Sequence, residues 1–434
     1  MSRRRLGPKT IAVVAVLLLL AAAAFVPRGG GDDGSLVPSG DGQDGPLADT
    51  AGRGRLTPAL RAEVDQVVAR GRAAGRISGK VTPDRLVSSL VRCADFEGQR
   101  YCLDSGWTDD TQAEVQARMT TTARSIAARP THVESTGDLD VLATLQREAA
   151  LSPAARAAQE RDELTAAARS VAKVWLLRHD IEGVPLPDGF LDRHPEALAT
   201  TTDSPAARAS ATASASPTKS PTRTPSTTPS ATSTTTPADD IKTQADYPRR
   251  AVVLDPLQVA EQRLTYWCGP TTMQMITWGW KGVDKGQAYW ADKLGTTSSG
   301  TAITDMVRVV NGNTGWDRRD HAGPYIVLDI SDYSFSKWIR LIMRHIVDYR
   351  SPIVFHPILL KKFYPYLDDD ASGHFQAGRG YNKRGERPTR ISYFEPWNQQ
   401  RFDPSEPYIA RVQWRNAYKS YRANEAHFQH NIGV

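Results

Sequence analysis

The sequence predicts an α+β fold for residues 241–434 and a separate, small all-α domain for residues 55–200. In the earlier segment, apolar residues recur at helical spacing. In the later segment, helical patterns come first and strand patterns follow, an order typical of α+β domains. Between them, residues 201–240 are mostly Ser, Thr, Pro and Ala. Such a segment cannot bury enough apolar surface to fold, so we expect an extended linker.

The start of the chain is typical of an exported protein. Basic residues between positions 3 and 9 precede an apolar run over residues 11–26, which is the order found in a signal peptide. We expect residues 1–26 to be a signal peptide or an uncleaved membrane anchor, and the protein to be extracellular or at the cell surface. Residues 27–54 are rich in Gly, Asp and Pro, which indicates a flexible stalk.

The charge pattern excludes one large class of partners. The net charge is +6 over 434 residues, and the basic residues are scattered along the chain. No zinc-finger spacing and no RNA-binding motif is present, so we do not expect nucleic acid as a partner. We also expect no cofactor and no metal.

The three cysteines divide into a pair and a single residue. Cys93 and Cys102, in CADFEGQRYC, can close a small disulfide loop in an oxidising compartment. Cys268 is then left alone in the later domain, and an odd cysteine in an exported protein indicates a reactive thiol. The alternative is a reduced cysteine that packs as a small apolar side chain.

Residues 55–200 contain three long helical patterns. These are PALRAEVDQVVARGRAAG, TQAEVQARMTTTARSIAA and PAARAAQERDELTAAARSVAKVWLLRH. Pro58 and Pro153 stand where the first and third patterns begin, a position that proline favours. No chemical motif occurs in this segment, so its role stays open: it can be an inhibitor, an anchor or a binding module.

Residues 241–434 contain both helical and strand patterns. CGPTTMQMITWGW, AITDMVRVVNG and SFSKWIRLIMRHIVDYR indicate helices. PIVFHPIL, GHFQAGRGY and TRISYFEPW indicate strands, bounded by turn residues.

Cys268 has the sequence context of a nucleophile. Pro270 fits the first turn of a helix that begins at the cysteine, and the positive end of that helix lowers the pKa of a thiol. An oxyanion hole needs donors aimed at the developing charge. The backbone N–H of Cys268 is one candidate. The amide of Gln262, just before the helix, is a second, although a solvated loop residue is the plainer interpretation.

The partner of the thiol is predicted to be His374. It begins a strand after Ser372-Gly373, and the chain returns through a turn near residue 385. Hairpin pairing then brings Glu395 to the same end as His374, where a carboxylate can orient the imidazole. Asn398 is the alternative orienter. The other histidines of the segment lie in a charged loop, an amphipathic helix, a strand end or a polar tail: His321, His345, His356, His427 and His430.

These motifs together resemble the C39-like group of papain-like cysteine peptidases. The resemblance rests on YWCGPTTMQM with Gln262 before it, on GHFQAGRGYN and on ISYFEPW, and it covers about residues 245–400. The segments GTTSSGTAITDMVRVVN and KGQAYWADKLGTT also look like the corresponding segments of exported actinobacterial members. The resemblance implies a papain-like fold and a peptide or protein substrate, with Cys268 as nucleophile, His374 as general base, Glu395 as orienting acid and Gln262 as oxyanion donor. The family usually has Asp where this chain has Glu395.

Other functions use the same site. One is a catalytically weak domain that binds peptide or a cell-wall polymer, since one fold serves several chemistries. Another is acyl transfer of the transglutaminase or amidase type. A third is a surface adhesin in which the helical segment binds and the later segment is a scaffold.

Overall fold

The computed structural model describes the greater part of the chain, in separate segments. The described residues are 54–77, 81–129, 135–197, 241–254, 259–282, 284–314, 324–365, 367, 370–383, 390–397 and 411–434. The predicted export segment over residues 1–26 and the predicted linker over residues 201–240 lie outside them, as does the stalk up to residue 53. None of the described helices is both long and apolar enough to cross a membrane.

Helices form where apolar periodicity follows a capping residue. They are α1 (Pro58–Ala73), α2 (Pro83–Leu90), α3 (Gln112–Ala128), α4 (Val141–Ala150), α5 (Pro153–Glu182), α6 (Phe190–Arg193), α7 (Cys268–Lys281), α8 (Gln287–Leu294), α9 (Ile303–Asn313), α10 (Phe335–Val347) and α11 (Trp414–Arg422). The hydroxyl of Thr57 accepts the Leu60 N–H of α1, the hydroxyl of Ser152 accepts the Ala155 N–H of α5, and a proline follows each cap. The three predicted helices of the earlier segment are confirmed.

Three short strands contradict the all-α character predicted for residues 55–200. They are β1 (Cys93–Phe96), β2 (Gln99–Cys102) and β3 (Gly106–Thr108). Strands of three or four residues contain at most two repeats of the two-residue strand pattern, which is too few to distinguish them within a segment of helical periodicity.

A tight turn connects β1 to β2 at one end of their hairpin, and a disulfide joins the two strands at the other end. Glu97 and Gly98 turn the chain with positive φ values of 53° and 81°. At the open end, Cys93 and Cys102 stand opposite each other and form a disulfide. The disulfide limits the conformations of the unfolded hairpin and so favours the folded one.

One sheet runs through both segments of the chain. The remaining strands are β4 (Arg250–Val252), β5 (Val327–Leu328), β6 (Ile353–Phe355), β7 (Gln376–Asn382), β8 (Arg390–Phe394), β9 (Arg411–Gln413) and β10 (Ile432–Gly433). The strand order is β1-β2-β3-β5-β10-β6-β7-β8-β9, and β4 pairs with β7. Trp107 of β3 stands opposite Leu328 of β5 in a parallel pair. The earlier segment therefore extends the sheet of the later one.

The hydrophobic core is shared in the same way. Leu164 and Val171 of α5 belong to the same buried cluster as Met273 of α7 and Ile342 of α10. Burying one such side chain contributes about 1.5–3 kcal/mol. The described part of the chain lies within one compact unit, so the earlier segment packs against the later one.

The β7–β8 hairpin positions the predicted site. Ala377 stands opposite Phe394, and the register shifts by one residue between Gly378 and Gly380. The residues just before β7 and just after β8 therefore lie at the same end of the hairpin. The α+β fold predicted for the later segment is confirmed.

Candidate active site

Cys268 is the first residue of helix α7, as predicted, and its side chain is fully buried. Glycine is required after it, because a Cβ at Gly269 would lie 2.6 Å from the Thr301 hydroxyl oxygen. The start of a helix carries unpaired N–H groups and the positive end of the helix dipole. The thiol therefore lies in an electropositive backbone environment.

Burial nevertheless dominates the protonation of Cys268. Burial raises the pKa of the thiol well above its usual value, and the carboxylates of Asp138 and Glu395 act in the same direction. The backbone N–H groups of Phe375 and Gly269 oppose this shift. The thiol is therefore protonated in this state of the chain, and formation of a thiolate requires a change around it.

His374 and Glu395 form a hydrogen-bonded pair at the end of the hairpin. His374 Nε2 lies 2.6 Å from Glu395 Oε1, and both side chains are buried. The other ring nitrogen, Nδ1, is buried and has no hydrogen-bond partner among the described residues. Phe375, the next residue, directs its backbone N–H at Cys268. The imidazole is thus held through one nitrogen, its other nitrogen has no partner among the described residues, and the backbone of the next residue contacts the thiol.

The carboxylate of Glu395 is itself held by two further donors. The backbone N–H of Trp397 donates to Oε1 at 2.8 Å, and the Gln376 amide donates to Oε2 at 2.6 Å. Three donors around one carboxylate fix its direction. Sequence reasoning did not identify Gln376. Asn398, the alternative orienter, lies outside the described residues.

Gln262 is buried beside Cys268 and not solvated. Its backbone N–H donates to the Pro396 carbonyl at 2.9 Å, which ties the loop before α7 to the end of β8. Its side-chain amide donates to the carbonyls of Leu264 and Thr265, at 3.1 and 2.6 Å. The side chain is therefore fixed with its amide nitrogen close to the start of α7.

Both predicted oxyanion donors form hydrogen bonds with the same backbone carbonyl oxygen of the chain. The backbone N–H of Cys268 donates to the Thr136 carbonyl oxygen at 3.3 Å, and Gln262 Nε2 donates to the same oxygen at 3.3 Å. Donors that converge on one oxygen are the defining feature of an oxyanion hole. A peptide carbonyl from the earlier segment therefore occupies the position that the sequence assigned to a substrate.

The residues around Thr136 are paired with both walls of the site. On one wall, the Thr136 N–H donates to Ser372 Oγ at 3.0 Å and its hydroxyl donates to the Gly373 carbonyl at 2.7 Å. On the other, the Thr301 N–H donates to the Gly137 carbonyl at 2.9 Å.

The pairing continues one residue further along the chain. The Leu139 N–H donates to the Thr301 carbonyl at 3.0 Å, so Thr301 pairs on both sides of Asp138. We call residues 136–139 the inserted segment. Its backbone crosses the site with a bend at Gly137 and a bridge to Thr301 at Asp138.

The side chain of Asp138 enters a buried pocket between two histidines. Its carboxylate lies 2.7 Å from His356 Nε2 and 2.8 Å from His427 Nε2. The ring of His356 stacks on Phe375, with centroids 4.5 Å apart, and its Nδ1 lies 2.7 Å from Asn431 Oδ1. The sequence placed His427 in a polar tail. That prediction is wrong, because the residue is buried against Asp138.

The protonation of this cluster follows from the ion pairing. Burial raises the pKa of Asp138, but the two imidazoles outweigh burial and the pKa ends well below its usual value. Burial lowers the pKa of His427, but the Asp138 carboxylate outweighs burial and the pKa ends above its usual value. Burial also lowers the pKa of His356, and there it prevails. The carboxylate therefore favours the charged form of His427, whereas burial disfavours the charged form of His356.

The same three side chains are of types that bind transition metals, and their ligand atoms lie within 4.8 Å of one another. Two ligands of a tetrahedral zinc ion are about 3.3 Å apart, since each bond is about 2.0 Å long. The carboxylate–imidazole distances of 2.7 and 2.8 Å are shorter than that. The arrangement is that of side chains in direct contact, with a hydrogen bond between His427 and Asp138.

The structure thus brings Cys268, His374, Glu395 and Gln262 to one place, while their catalytic roles stay predictions. Sequence reasoning missed Thr136 and Asp138, because neither stands in a motif. A signal for irregular backbone did exist, since residues 135–138 are a run of Ser, Thr, Gly and Asp, a composition typical of loops.

Comparison with family models matches residues 253–425 to the Peptidase_C39 like family. This confirms the resemblance of the later segment to papain-like cysteine peptidases and agrees with its α+β fold. The family acts on peptide or protein substrates. A comparison with curated proteins finds no match. A comparison with solved structures finds none either.

Proposed function

We propose that this protein is a cysteine peptidase, with Cys268 as nucleophile, His374 as general base and acid, Glu395 as the group that orients His374, and Gln262 as an oxyanion donor. The observation that carries the proposal is the convergence of the Cys268 N–H and the Gln262 amide on one peptide carbonyl oxygen. The buried His374–Glu395 hydrogen bond beside the thiol supports it.

The proposed reaction transfers an acyl group to water. His374 takes the proton of Cys268, and the thiolate attacks the carbonyl carbon of a peptide bond while the two donors stabilise the oxyanion. The C–N bond breaks as His374 gives the proton to the leaving amine. A water molecule, deprotonated by His374, then hydrolyses the thioester, releases the carboxylate product and restores the thiol.

Glu395 serves where the related peptidases usually carry Asp. Its longer side chain still reaches His374 Nε2 at 2.6 Å. The donors from Gln376 and Trp397 restrain the additional rotatable bond. The orienting role therefore needs no aspartate here.

We also propose that the protein works outside the cytoplasm. The basic and apolar pattern of residues 1–26 supports export. The Cys93–Cys102 disulfide supports an oxidising compartment. Proteolysis of intact cells that removes this protein from the cell fraction, and spares a cytoplasmic marker, tests this location.

A second candidate is a peptide-binding protein without turnover. Two observations favour it: the inserted segment fills the site, and burial raises the pKa of Cys268. The two candidates differ in whether the thiol becomes reactive once the inserted segment leaves.

A peptide-library digestion separates these candidates. The full chain with Asp138→Asn, which weakens the hold on the inserted segment, is compared with the same chain carrying Cys268→Ala as well. We expect new peptide termini with the first protein and none with the second. Equal digestion by both proteins, or no digestion by either, contradicts the peptidase proposal. A primary amine is added in a parallel sample, and its incorporation without hydrolysis assigns a transglutaminase activity.

A further inference from the structure

The inserted segment has the geometry of a bound substrate. The carbonyl carbon of Thr136 is the one whose oxygen receives both oxyanion donors. The bond in the reacting position is therefore Thr136–Gly137, and the chain beyond it lies on the side of the leaving amine. Residue Asp138 is the second residue after that bond.

The pocket that receives Asp138 is a built site for a carboxylate. His356 is fully buried and His427 nearly so, and each directs Nε2 at the carboxylate. A Cβ at Gly373 would lie 2.0 Å from Asp138 Oδ2, so the wall of the pocket is shaped around the acid. His427 Nε2 lies 2.8 Å from Asp138 Oδ2 in a hydrogen bond, and such a bond is about twice as strong when it is charge-assisted as when it is neutral. The buried His427 loses this bond when no anion is present. The pocket therefore discriminates between an acidic side chain and its amide.

The position before the acid accepts glycine alone. Gly137 has a φ of 107°, which L side chains rarely adopt. A Cβ there would lie 2.4 Å from the carbonyl carbon and oxygen of Tyr266. The backbone of Tyr266 belongs to the loop that holds Gln262 and Cys268, so it cannot move without disturbing the oxyanion donors.

We propose that this site selects peptides in which glycine follows the reacting carbonyl and an acidic residue follows the glycine, with His356 and His427 as the residues that recognise the acid. The inference rests on the proposed peptidase function and names its substrate class. The inserted segment is the chain's own example of that class. While it is bound, it excludes other peptides from Cys268.

Alkylation of Cys268 by iodoacetamide in the full chain tests this proposal without requiring turnover. We expect Asp138→Asn to raise the alkylation rate about 10- to 100-fold, the range for loss of a charged hydrogen bond. The matched control is Asp65→Asn, which removes an exposed acid of helix α1 that pairs with Arg161 and contacts neither histidine cluster. We expect the control to alkylate at the wild-type rate.

Free peptides then report the selectivity. The probes are a peptide of residues 133–142 and the same peptide with Asn in place of Asp138, each added to the Asp138→Asn protein. We expect the acidic peptide to protect Cys268 at a concentration at least about tenfold lower than the amide peptide does. His427→Gln should abolish that difference. His356→Gln serves if the first variant does not fold.

The outcomes separate this inference from the proposed function. Equal alkylation of wild type and Asp138→Asn, or equal protection by the two peptides, overturns the selectivity. Protection that appears only with added zinc and disappears with a chelator overturns it too, since the cluster then binds a metal. If selective protection occurs but Cys268→Ala digests peptides as well as its parent does, the binding site stands and the peptidase function fails.

Discussion

The site contains two buried carboxylate–histidine clusters that differ in what they leave unpaired. In the first, Glu395 bonds His374 through Nε2, and Nδ1 has no partner among the described residues. In the second, both nitrogens of His356 have a polar neighbour: Nε2 lies 2.7 Å from Asp138 Oδ1, and Nδ1 lies 2.7 Å from Asn431 Oδ1. A general base needs a free nitrogen, and His374 has one. We therefore propose chemistry for the first cluster and binding for the second.

The largest expected effect comes from the nucleophile. In the Asp138→Asn chain, Cys268→Ala should reduce peptide hydrolysis by at least about 10³-fold, because the residual donors and binding groups act without a covalent step. Peptide binding to the second cluster should persist. The check is hydrolysis of a quenched fluorescent peptide beside fluorescence anisotropy of an unquenched one. If Cys268→Ala abolishes peptide binding as well as hydrolysis, the assignment of catalysis and binding to separate clusters is wrong.

The next effect concerns the orienting acid. Glu395→Ala removes the group that fixes His374, and we expect kcat to fall about 10²- to 10⁴-fold. Glu395→Asp keeps the charge and shortens the side chain by one methylene, so a smaller loss is expected. The kcat of both variants, measured with KM, is the check.

If Glu395→Ala lowers affinity and leaves kcat intact, the first cluster is not the catalytic one. Glu395→Gln is the isosteric control, and it should resemble the alanine variant more than the aspartate variant. The charge of the carboxylate, and not its size, stabilises the protonated imidazole.

An intermediate effect is the pH dependence of the second cluster. The raised pKa of His427 stabilises the bound segment below the ordinary histidine value of about 6.5, and this contribution is lost as pH rises through the raised value. The lowered pKa of Asp138 contributes above about 3.9 and is lost only in stronger acid. Asp140 also faces His427 and raises its pKa. The lowered pKa of His356 acts in the opposite direction below about 6.5, because the released imidazole binds a proton there and the buried one resists it. The bound segment should therefore be most stable near pH 6.5 and should lose stability as pH rises.

Hydrogen exchange measures this stability. The Leu139 N–H, which donates to Thr301, should lose protection about 3- to 10-fold between pH 6 and 8 after correction for intrinsic exchange. In Asp138→Asn the protection should be low and nearly independent of pH. A pH-independent Leu139 amide in the wild type contradicts the ion-pair account of the second cluster.

The smallest effects come from the residues that support each cluster. Gln376→Ala removes one donor from Glu395, and Asn431→Ala removes the partner of His356. A single such hydrogen bond contributes about 0.5–1.5 kcal/mol, so each change should cost a few-fold. Gln376→Ala should lower kcat, and Asn431→Ala should weaken the preference for an acidic peptide. If Gln376→Ala instead weakens the peptide preference and Asn431→Ala lowers kcat, the catalytic and binding roles of the two clusters are reversed.

The first cluster was accessible from sequence because its parts lie in short-range patterns. Cys268 stands at a helix start, and the turn near residue 385 brings His374 and Glu395 to one end of a hairpin. The second cluster was not accessible, because Asp138, His356 and His427 come from three distant parts of the chain. Nothing local to Asp138 predicts that the earlier segment packs into the site. That packing depends on the shared core and on the β3–β5 pairing, whose strands are too short for a sequence pattern.

The central claim is that Cys268 and His374 form a reactive pair once the inserted segment leaves. It is tested most directly by the rate of Cys268 alkylation at pH 6 in the full chain with Asp138→Asn, with and without His374→Ala. An isolated thiol has a pKa of about 8.5 and alkylates slowly at that pH, whereas a thiolate paired with imidazolium reacts quickly. We predict fast alkylation with His374 present and a loss of at least about tenfold without it. Slow alkylation that the His374→Ala substitution does not change would contradict the account.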